Sequence, residues 1–524
     1  MSSVHSQRGR RLSVAMIARD EAEVIGESLE SVRALADEMV VVDTGSRDAT
    51  AAVAGRLGAR ILNAPWRDDF SAARNAAIEA ATGDWILWLD AGERLTAEAA
   101  TAVRDFVDHQ ADATRAYLLT IEHETSGGAI ERVDRIRLMP RRDGLRFSHR
   151  VRETLVPALA ALDMTVDRLE CHLPRGARER NPALREMRAH RNLRLVELET
   201  SDRGPRADMW LVRAEALGTL GRTAAAAQAY KQALDIAERG SKEMLEAYYG
   251  LLAALDRPNM ASQAQLTLCL EALAVYPLDA QLLCAMGGYL KAQDQLTLAE
   301  RSYRLAVEHG VIEHEIWHRA DVPFIALACL AACLEAQNRQ DEAAELLREA
   351  TARDDTAPLV RRHFLDLCVR QARTDEALAL VNTLGLDDGR RARLRTAVRG
   401  ACQAARGAWS MAHSYLRAAY QEGCRDVLCM RWLVTSLFAL GEARAAEPVL
   451  REWAAIDPTS GELANFAAAL ISESETHAQS QPFAPATGEM FRVDAASANP
   501  VRAAHAGQSP VAPRHSEPSR GVER

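Results

Sequence analysis

Short apolar runs alternate with stretches of helical periodicity from residue 12 to about residue 111. Residues 12–18 read as a strand that ends at Arg19, Asp20 and Glu21. Residues 22–35 place Val24, Ile25, Leu29, Val32 and Leu35 on one helical face. A second strand follows at 39–42, a helix at 49–57, and a third strand at 59–62 closed by Ala64-Pro65. A helix over 71–81 is expected with Ser71 as its N-cap, and a fourth strand at 85–89. Such alternation predicts a parallel sheet with helices on both faces. The pattern then changes to two strands, 116–122 and 132–139, joined across the hairpin signal Ser126-Gly127-Gly128.

From about 207 to 470 the periodicity is helical throughout, and it repeats. Trp210, Ala214, Leu217, Ala226, Tyr230 and Ala233 alternate large and small residues at fixed spacing. The spacing recurs at Leu283, Gly287, Leu290, Ala299, Tyr303 and Ala306, and again from Leu327 to Ala350. A weaker copy runs from Thr396 through Gly400, Ala412 and Leu416 to Ala419. Small residues let paired helices approach while large ones fill the gaps, the tetratricopeptide-repeat pattern of an α-solenoid. Such a solenoid offers a surface for a peptide partner. Between the two regions, residues 176–206 form an arginine-rich segment expected to be a solvated linker helix, or a face for an anionic acceptor or membrane surface. After residue 472 the chain is rich in Ser, Pro, Ala and Gln, so 473–524 are expected to be disordered.

Composition narrows the function classes. A chain of 524 residues is too long for one ordinary core. With 48% hydrophobic and 26% charged residues and a net charge of −9, it is not a general nucleic-acid binder. The basic N-terminal stretch lacks the apolar core of a secretory signal, and no apolar run is long enough for a transmembrane segment. All nine cysteines lie from Cys171 onward without a CxxC pair, so buried thiols and a cytoplasmic location are expected.

The candidate chemistry sits at strand ends. Val40-Val41-Val42 ends in Asp43-Thr44-Gly45-Ser46, and Trp85 to Leu89 ends in Asp90-Ala91-Gly92-Glu93. In open α/β sheets the crevice beyond such carboxyl ends binds ligands. Asp43 alone reads equally as an Asx turn and as an acceptor for a bound base or ribose. A second acid at Asp90 favours one shared site for a nucleotide carrying a sugar. Arg74 and Asn75 open the helix after the third strand, where Arg74 suits a phosphate or base, or else an ion pair with Asp68 or Asp69. Trp66 and Phe70 read as packing residues rather than stacking platforms.

The segments LSVAMIARDEAEVIGESLESV, DEMVVVDTGSRDAT, WRDDFSAARNAAIEAATGDW and ILWLDAGERL resemble, in that order, family 2 glycosyltransferases of the GT-A fold. More narrowly they resemble bacterial members with tetratricopeptide repeats behind a short catalytic domain. The implied domains are a transferase at 11–175, the linker at 176–206, the solenoid at 207–472 and the tail. The resemblance implies an enzyme, a hexosyltransferase-like inverting glycosyltransferase using a nucleotide-sugar donor, with a protein or glycan acceptor. It also implies that Arg19, Asp20 and Glu21 line the nucleotide pocket, that Asp43 contacts the base, and that Asp90 begins an Asp-x-Asp motif orienting ribose and a divalent cation, Mg²⁺ or Mn²⁺. Arg74 and Asn75 are carried over as donor contacts.

Two departures put that cation in question. The second Asp of the motif is Gly92, and the subgroup's Arg-x-His-Glu segment reads Arg150-Val151-Arg152-Glu153, with Arg152 where His stands. Either Arg152, with Arg150 or Arg137, meets the diphosphate in place of metal, or Glu93 supplies the missing ligand beside Asp90. Glu153 is the first candidate for general base; Glu122, Glu124 and Asp134 are weaker ones, and His149 and His172 are weaker still. The competing expectation is a transferase-like scaffold without activity that works through its repeats.

Overall fold

The computed structural model describes residues 9–125, 129–176, 181–255, 263–353, 358–457 and 460–476. The tip of the hairpin signal at Ser126-Gly127-Gly128 lies outside them, as does the expected tail beyond residue 476.

The N-terminal domain follows the alternation of the sequence: β1 (Leu12–Ala18), α1 (Ile25–Val32), β2 (Glu38–Asp43), α2 (Thr50–Arg56), β3 (Arg60–Asn63), α3 (Phe70–Ala80), β4 (Trp85–Trp88) and α4 (Ala97–His109). There follow β5 (Arg115–Glu124), β6 (Ile130–Pro140), α5 (Val156–Ala161) and β7 (Thr165–Arg175). The sheet order is β3-β2-β1-β4-β6-β5-β7. The first four strands are parallel, β6 runs antiparallel to both β4 and β5, and β7 is parallel to β5. Strand alternation decides which helices cover which face. Leu12, Val14 and Met16 of β1, with Trp85 and Leu87 of β4, pack against Ile25, Leu29, Val103 and Val107. Ala15, Ile86 and Trp88 face the other way, toward Ala77, Ile78, Leu155 and Leu159.

Helix α3 begins one residue earlier than expected. Its N-cap is Asp69, whose side chain accepts from Ala72 N, and Ser71 Oγ donates to that same carboxylate at 2.8 Å. Carboxylate and hydroxyl compete for one capping position, and here the carboxylate takes it.

The arginine-rich segment forms α6 (Pro182–Arg203), yet it is not a solvated linker. Its Leu195 and Val196 are buried with Val151 and with Met209 and Val212 of α7 (Ala207–Thr219), and Trp66 and Phe70 pack onto this group as expected. Arg194 pairs with Asp68 at 2.7 Å, and Arg191 lies 4.8 Å from the Phe70 ring centroid. The apolar residues of this helix dock it, and its arginines pair along the seam.

Helix pairs continue through α8 (Thr223–Ile236) and α9 (Lys242–Leu255) to a last helix at Gly461–Thr476, four residues into the expected tail. The small positions do what the pattern requires. A Cβ on Gly250 would lie 2.2 Å from the Tyr230 ring, and one on Gly287 would lie 2.5 Å from the Tyr303 ring. The nine cysteines are free and buried. No helix among the described residues is long and apolar enough to cross a membrane.

The repeats also enter the sheet. Residues His318–Arg319 form β8, which pairs antiparallel with β6 through Arg319↔Glu131 and His318↔Arg132. Asp134 N donates to His314 O at 2.7 Å and Ala320 N to Ile130 O at 2.9 Å. β4 meets β6 only at residues 138–140, so the repeat segment covers the stretch of β6 that β4 leaves open.

Candidate active site

Strand register sets the frame. Ala18 of β1 pairs with Asp43 on one side, and Ala15 pairs with Trp88 on the other, with Leu89 N donating to Ala15 O. Asp43 and Asp90 thus flank the carboxyl end of β1 on its two sides, about 10 Å apart at two strand spacings.

Asp43 is 8% exposed. Its Oδ1 accepts from Gly45 N (3.0 Å), Ser46 N (2.8 Å) and Ser46 Oγ (2.8 Å), which is the Asx-turn reading made concrete. Gly45 sits at φ +104, where only glycine is unstrained. Oδ2 makes no hydrogen bond within the described residues, so the same carboxylate closes the turn and keeps one acceptor open. Arg19, Asp20 and Glu21 lie against this turn. Asp20 N donates to Ser46 Oγ (3.1 Å), Arg47 N donates to Asp20 Oδ1 (2.7 Å), and Glu21 N donates to Thr50 Oγ1 (2.8 Å). Arg19 is half-exposed beside Asp20.

Around Asp90 the charges interlock. Trp88 Nε1 donates to Asp90 Oδ1 at 2.9 Å, and Arg137 Nη2 donates to Asp90 Oδ2 at 2.8 Å and to Glu93 Oε1 at 2.5 Å. Arg74 lies 3.3 Å from Asp90 Oδ1, and its Nε is 2.6 Å from Glu153 Oε1. That last approach is a charge contact without hydrogen-bond alignment, since Nε has no aligned acceptor. The Arg74 guanidinium also stacks 4.3 Å from the Trp88 ring and 5.3 Å from Phe147. Burial opposes ionisation of Asp90, but the guanidiniums of Arg137, Arg74 and Arg175 overcome it and hold the carboxyl well below its ordinary range. Glu93 goes the other way. It has no exposed surface, and burial raises its pKa, with Asp90 adding to the rise and Arg137 opposing.

Three expectations change here. Asn75, expected on the donor, holds backbone instead: its Nδ2 donates to Phe147 O at 3.0 Å and Phe147 N donates to its Oδ1 at 2.8 Å. Both ends of the amide are used, and they fasten α3 to the segment leading to Glu153. Arg152, expected on the diphosphate, turns to the repeats, where Nη2 is 2.7 Å from Glu215 Oε1 and Nη1 is 2.8 Å from Glu246 Oε2. Glu93, expected as a metal ligand, accepts from Arg137 and from Asp90 N (3.0 Å) and so organises the turn.

A divalent cation needs several oxygen ligands around it. Asp90 faces two guanidiniums, Glu93 is sealed against Arg137, Gly92 brings no side chain, and Arg152 is turned away. Among the described residues no group of three or more His, Cys, Asp or Glu is placed to hold a metal ion. The residues present do not fit a resident cation.

The weaker candidates are all engaged. Glu122 meets His172 (2.7 Å) and Arg132 (2.6 Å), Asp134 meets Thr120 (2.7 Å) and Arg168 (3.2 Å), and His149 meets Glu199 (2.9 Å). Glu124 closes β5 and also has partners. Sequence reasoning missed Trp88 and Phe147 as the bed of Arg74, and Arg175 as a charge on Asp90. Glu215 and Glu246 carried no signal at all, since a charged residue on a repeat helix looks like any solvated position.

Residues 13–132 match the family model described as glycosyl transferase family 2. That match places a domain similar to glycosyl transferase family 2 at the N-terminus. The chain is a mixed α/β domain that resembles the GT-A fold, followed by a long run of helices with the tetratricopeptide-repeat pattern. A TPR repeat-containing protein of Synechococcus elongatus is 46% identical over 153 residues, 29% of this chain and 37% of the relative. An uncharacterized glycosyltransferase of Rickettsia felis is 33% identical over 112 residues, 21% of this chain and 39% of the relative. The chain thus spans under two fifths of either relative. A tetratricopeptide repeat protein from Parabacteroides merdae has a TM-score of 0.38 at 12% identity, over 51% of this chain and 98% of its own. Glucosyl-3-phosphoglycerate synthase from Mycobacterium tuberculosis, solved with Mn²⁺ and UDP-glucose, has a TM-score of 0.27 at 18% identity, over 36% of this chain and 78% of its own. At these TM-scores neither likeness bears on function.

Proposed function

We propose that the transferase domain moves a sugar from a nucleotide-sugar donor to an acceptor on a protein or glycan, in a single inverting displacement. The observation that carries this is the pair of acids flanking β1, one with an open carboxylate oxygen and the other set among guanidiniums, within a family 2 domain. Asp43 Oδ2 accepts from an N–H of the base. Arg74 and Arg137 meet the charge that develops on the departing diphosphate, the part that oriented cations play in transferring charged groups. Arg74 moves from Glu153 to the diphosphate as donor arrives, which frees Glu153 to take the acceptor's proton as its oxygen attacks the anomeric carbon. The cation sits beside Glu153 at rest, so donor and base are coupled through one guanidinium. The solenoid takes part in acceptor recognition by holding a peptide segment of the acceptor or of a partner, and the reaction runs in the cytoplasm.

Titration calorimetry of nucleoside diphosphates and nucleotide sugars in EDTA tests the reading. Binding in EDTA that Asp43→Ala weakens at least tenfold supports it. Binding that requires Mn²⁺, or none across the common nucleotides, refutes the metal-free site. The paired state of Asp90 and Glu153 favours a second reading, a transferase-like scaffold without turnover. Donor binding with no sugar transfer to any acceptor, and no donor hydrolysis, would select it.

A further inference from the structure

The loop that presents Glu153 is closed on itself by a backbone pair, Ser148 N to Thr154 O at 2.9 Å and Thr154 N to Ser148 O at 3.1 Å. Within it the side chains divide. His149 and Arg150 run to α6, where His149 Nδ1 lies 2.9 Å from Glu199 and Arg150 Nη2 donates to Asp202 at 2.6 Å. Val151 is buried against Leu195, Val196, Met209 and Val212. Arg152 reaches α7 and α9, straddling Glu215 and Glu246 with both terminal nitrogens. Glu153 turns back to Arg74, and Arg150 Nη1 also reaches back, to Asp68 O at 3.2 Å. Both His149 (φ +80) and Arg152 (φ +49) are in the left-handed region, which non-glycine residues enter only where surroundings impose it.

We infer that Glu215 and Glu246, two carboxylates of the repeats, are positioning residues of the transferase site: they hold Arg152 in its strained turn and thereby set where Glu153 stands. Its catalytic meaning rests on the transfer reaction proposed above. Plain adhesion between domains does not explain the arrangement. Glu215 and Glu246 both reach the Arg152 guanidinium, so two acids crowd one cation where one would suffice for an ion pair. The surroundings can do without this pair for cohesion, because the Val151 cluster, α6 and β8 join the same two domains independently. What Glu215 and Glu246 add is direction: a guanidinium forked between two helices has one orientation, and the next residue inherits it.

The full chain carrying Glu215→Gln and Glu246→Gln tests this, with Glu315→Gln, which removes the carboxylate of the Lys242 pair within the repeats and leaves Arg152 its partners, as the control. The expected result is a fall in kcat of ten- to a hundredfold with donor KM within twofold, the size that a misplacement of about 1 Å produces. Amide exchange of residues 148–154 should quicken while β1 and β2 keep their protection. Arg152→Ala should match the double variant and add nothing to it, and Arg152→Lys should recover part of the rate. The control should keep its kcat. Unchanged kcat in the double variant, or an equal fall in the control, overturns the inference. If the wild-type chain transfers no sugar, the transferase reading fails by itself. Exchange then decides the anchoring, with unchanged protection at 148–154 refuting it and local loss of protection supporting it.

Discussion

Replacing Arg137 with methionine removes the cation shared by Asp90 and Glu93 while keeping the apolar stem. The wild-type guanidinium is almost fully buried, and Glu93, its partner at 2.5 Å, is wholly buried. Breaking a buried pair by removing one member leaves a charge without compensation, which costs about 3–5 kcal/mol. At 1.4 kcal/mol for each tenfold, that is roughly a hundred- to a thousandfold or more in the opening equilibrium of the sheet. A chain with several cores does not unfold in one step, so the reporter is local: amide exchange at Leu87 and Leu138, which face each other across β4 and β6. The loss carries a pH signature. Burial already raises the folded-state pKa of Glu93, and losing the opposing Arg137 raises it further, so the variant's penalty is small in acid and grows as pH rises through the folded pKa. Arg137→Met with Glu93→Gln should recover part of it at neutral pH. A penalty under about 1 kcal/mol that stays flat with pH would refute the account, because a buried carboxylate stripped of its cation cannot be indifferent to either.

Gly287→Ala should destabilise the repeats by about 1–3 kcal/mol, read as a lowered thermal midpoint, because the new Cβ meets the Tyr303 ring at 2.5 Å. A midpoint within one degree of wild type would show that the ring can step aside. Burial pushes the Glu131 carboxyl up to about 7, with Arg319 opposing. Its folded pKa is raised, so its stabilising protonated state is present in acid and lost as pH climbs through that value. Glu131→Gln should therefore match wild type in acid and exceed it above neutrality by up to about 3 kcal/mol, read from amide exchange along β5 and β6 at both pH values. Equal stabilities at both would sink it.

How far the sequence could be read depended on whether its signals were local. β1, β2 and β4 are largely apolar runs that each stop at a charged residue, so the placement of Asp43 and Asp90 at one edge of the sheet was legible locally. The repeats were legible for a similar reason, since Gly287 and Tyr303 each carry half of one contact. β7 is another matter: Cys171 and Leu173 face the core, while several of its residues are exposed, so no clean period of two survives. β8 is two residues set among helices and has no period to detect. The destination of Arg152 was unreadable because its partners lie 63 and 94 positions away, on helices whose pattern reports only their packing faces. Asn75 and Glu93 misled for a subtler reason. Their residue types suit ligand binding and backbone bracing equally, and only the placement of Phe147 and Arg137 decides between them.

The pairing of β8 with β6 bears on how the protein can be divided. The usual place to cut a two-domain chain, after residue 175, would strip β6 of its cover from Ile130 to Asp134. The backbone groups bared there are an open strand edge, the surface on which sheets of separate molecules join. An N-terminal fragment made that way would be prone to assemble with its own copies. Two residues of β8 make the repeats part of the N-terminal domain's sheet, so the smallest unit that keeps this sheet closed extends at least to Arg319.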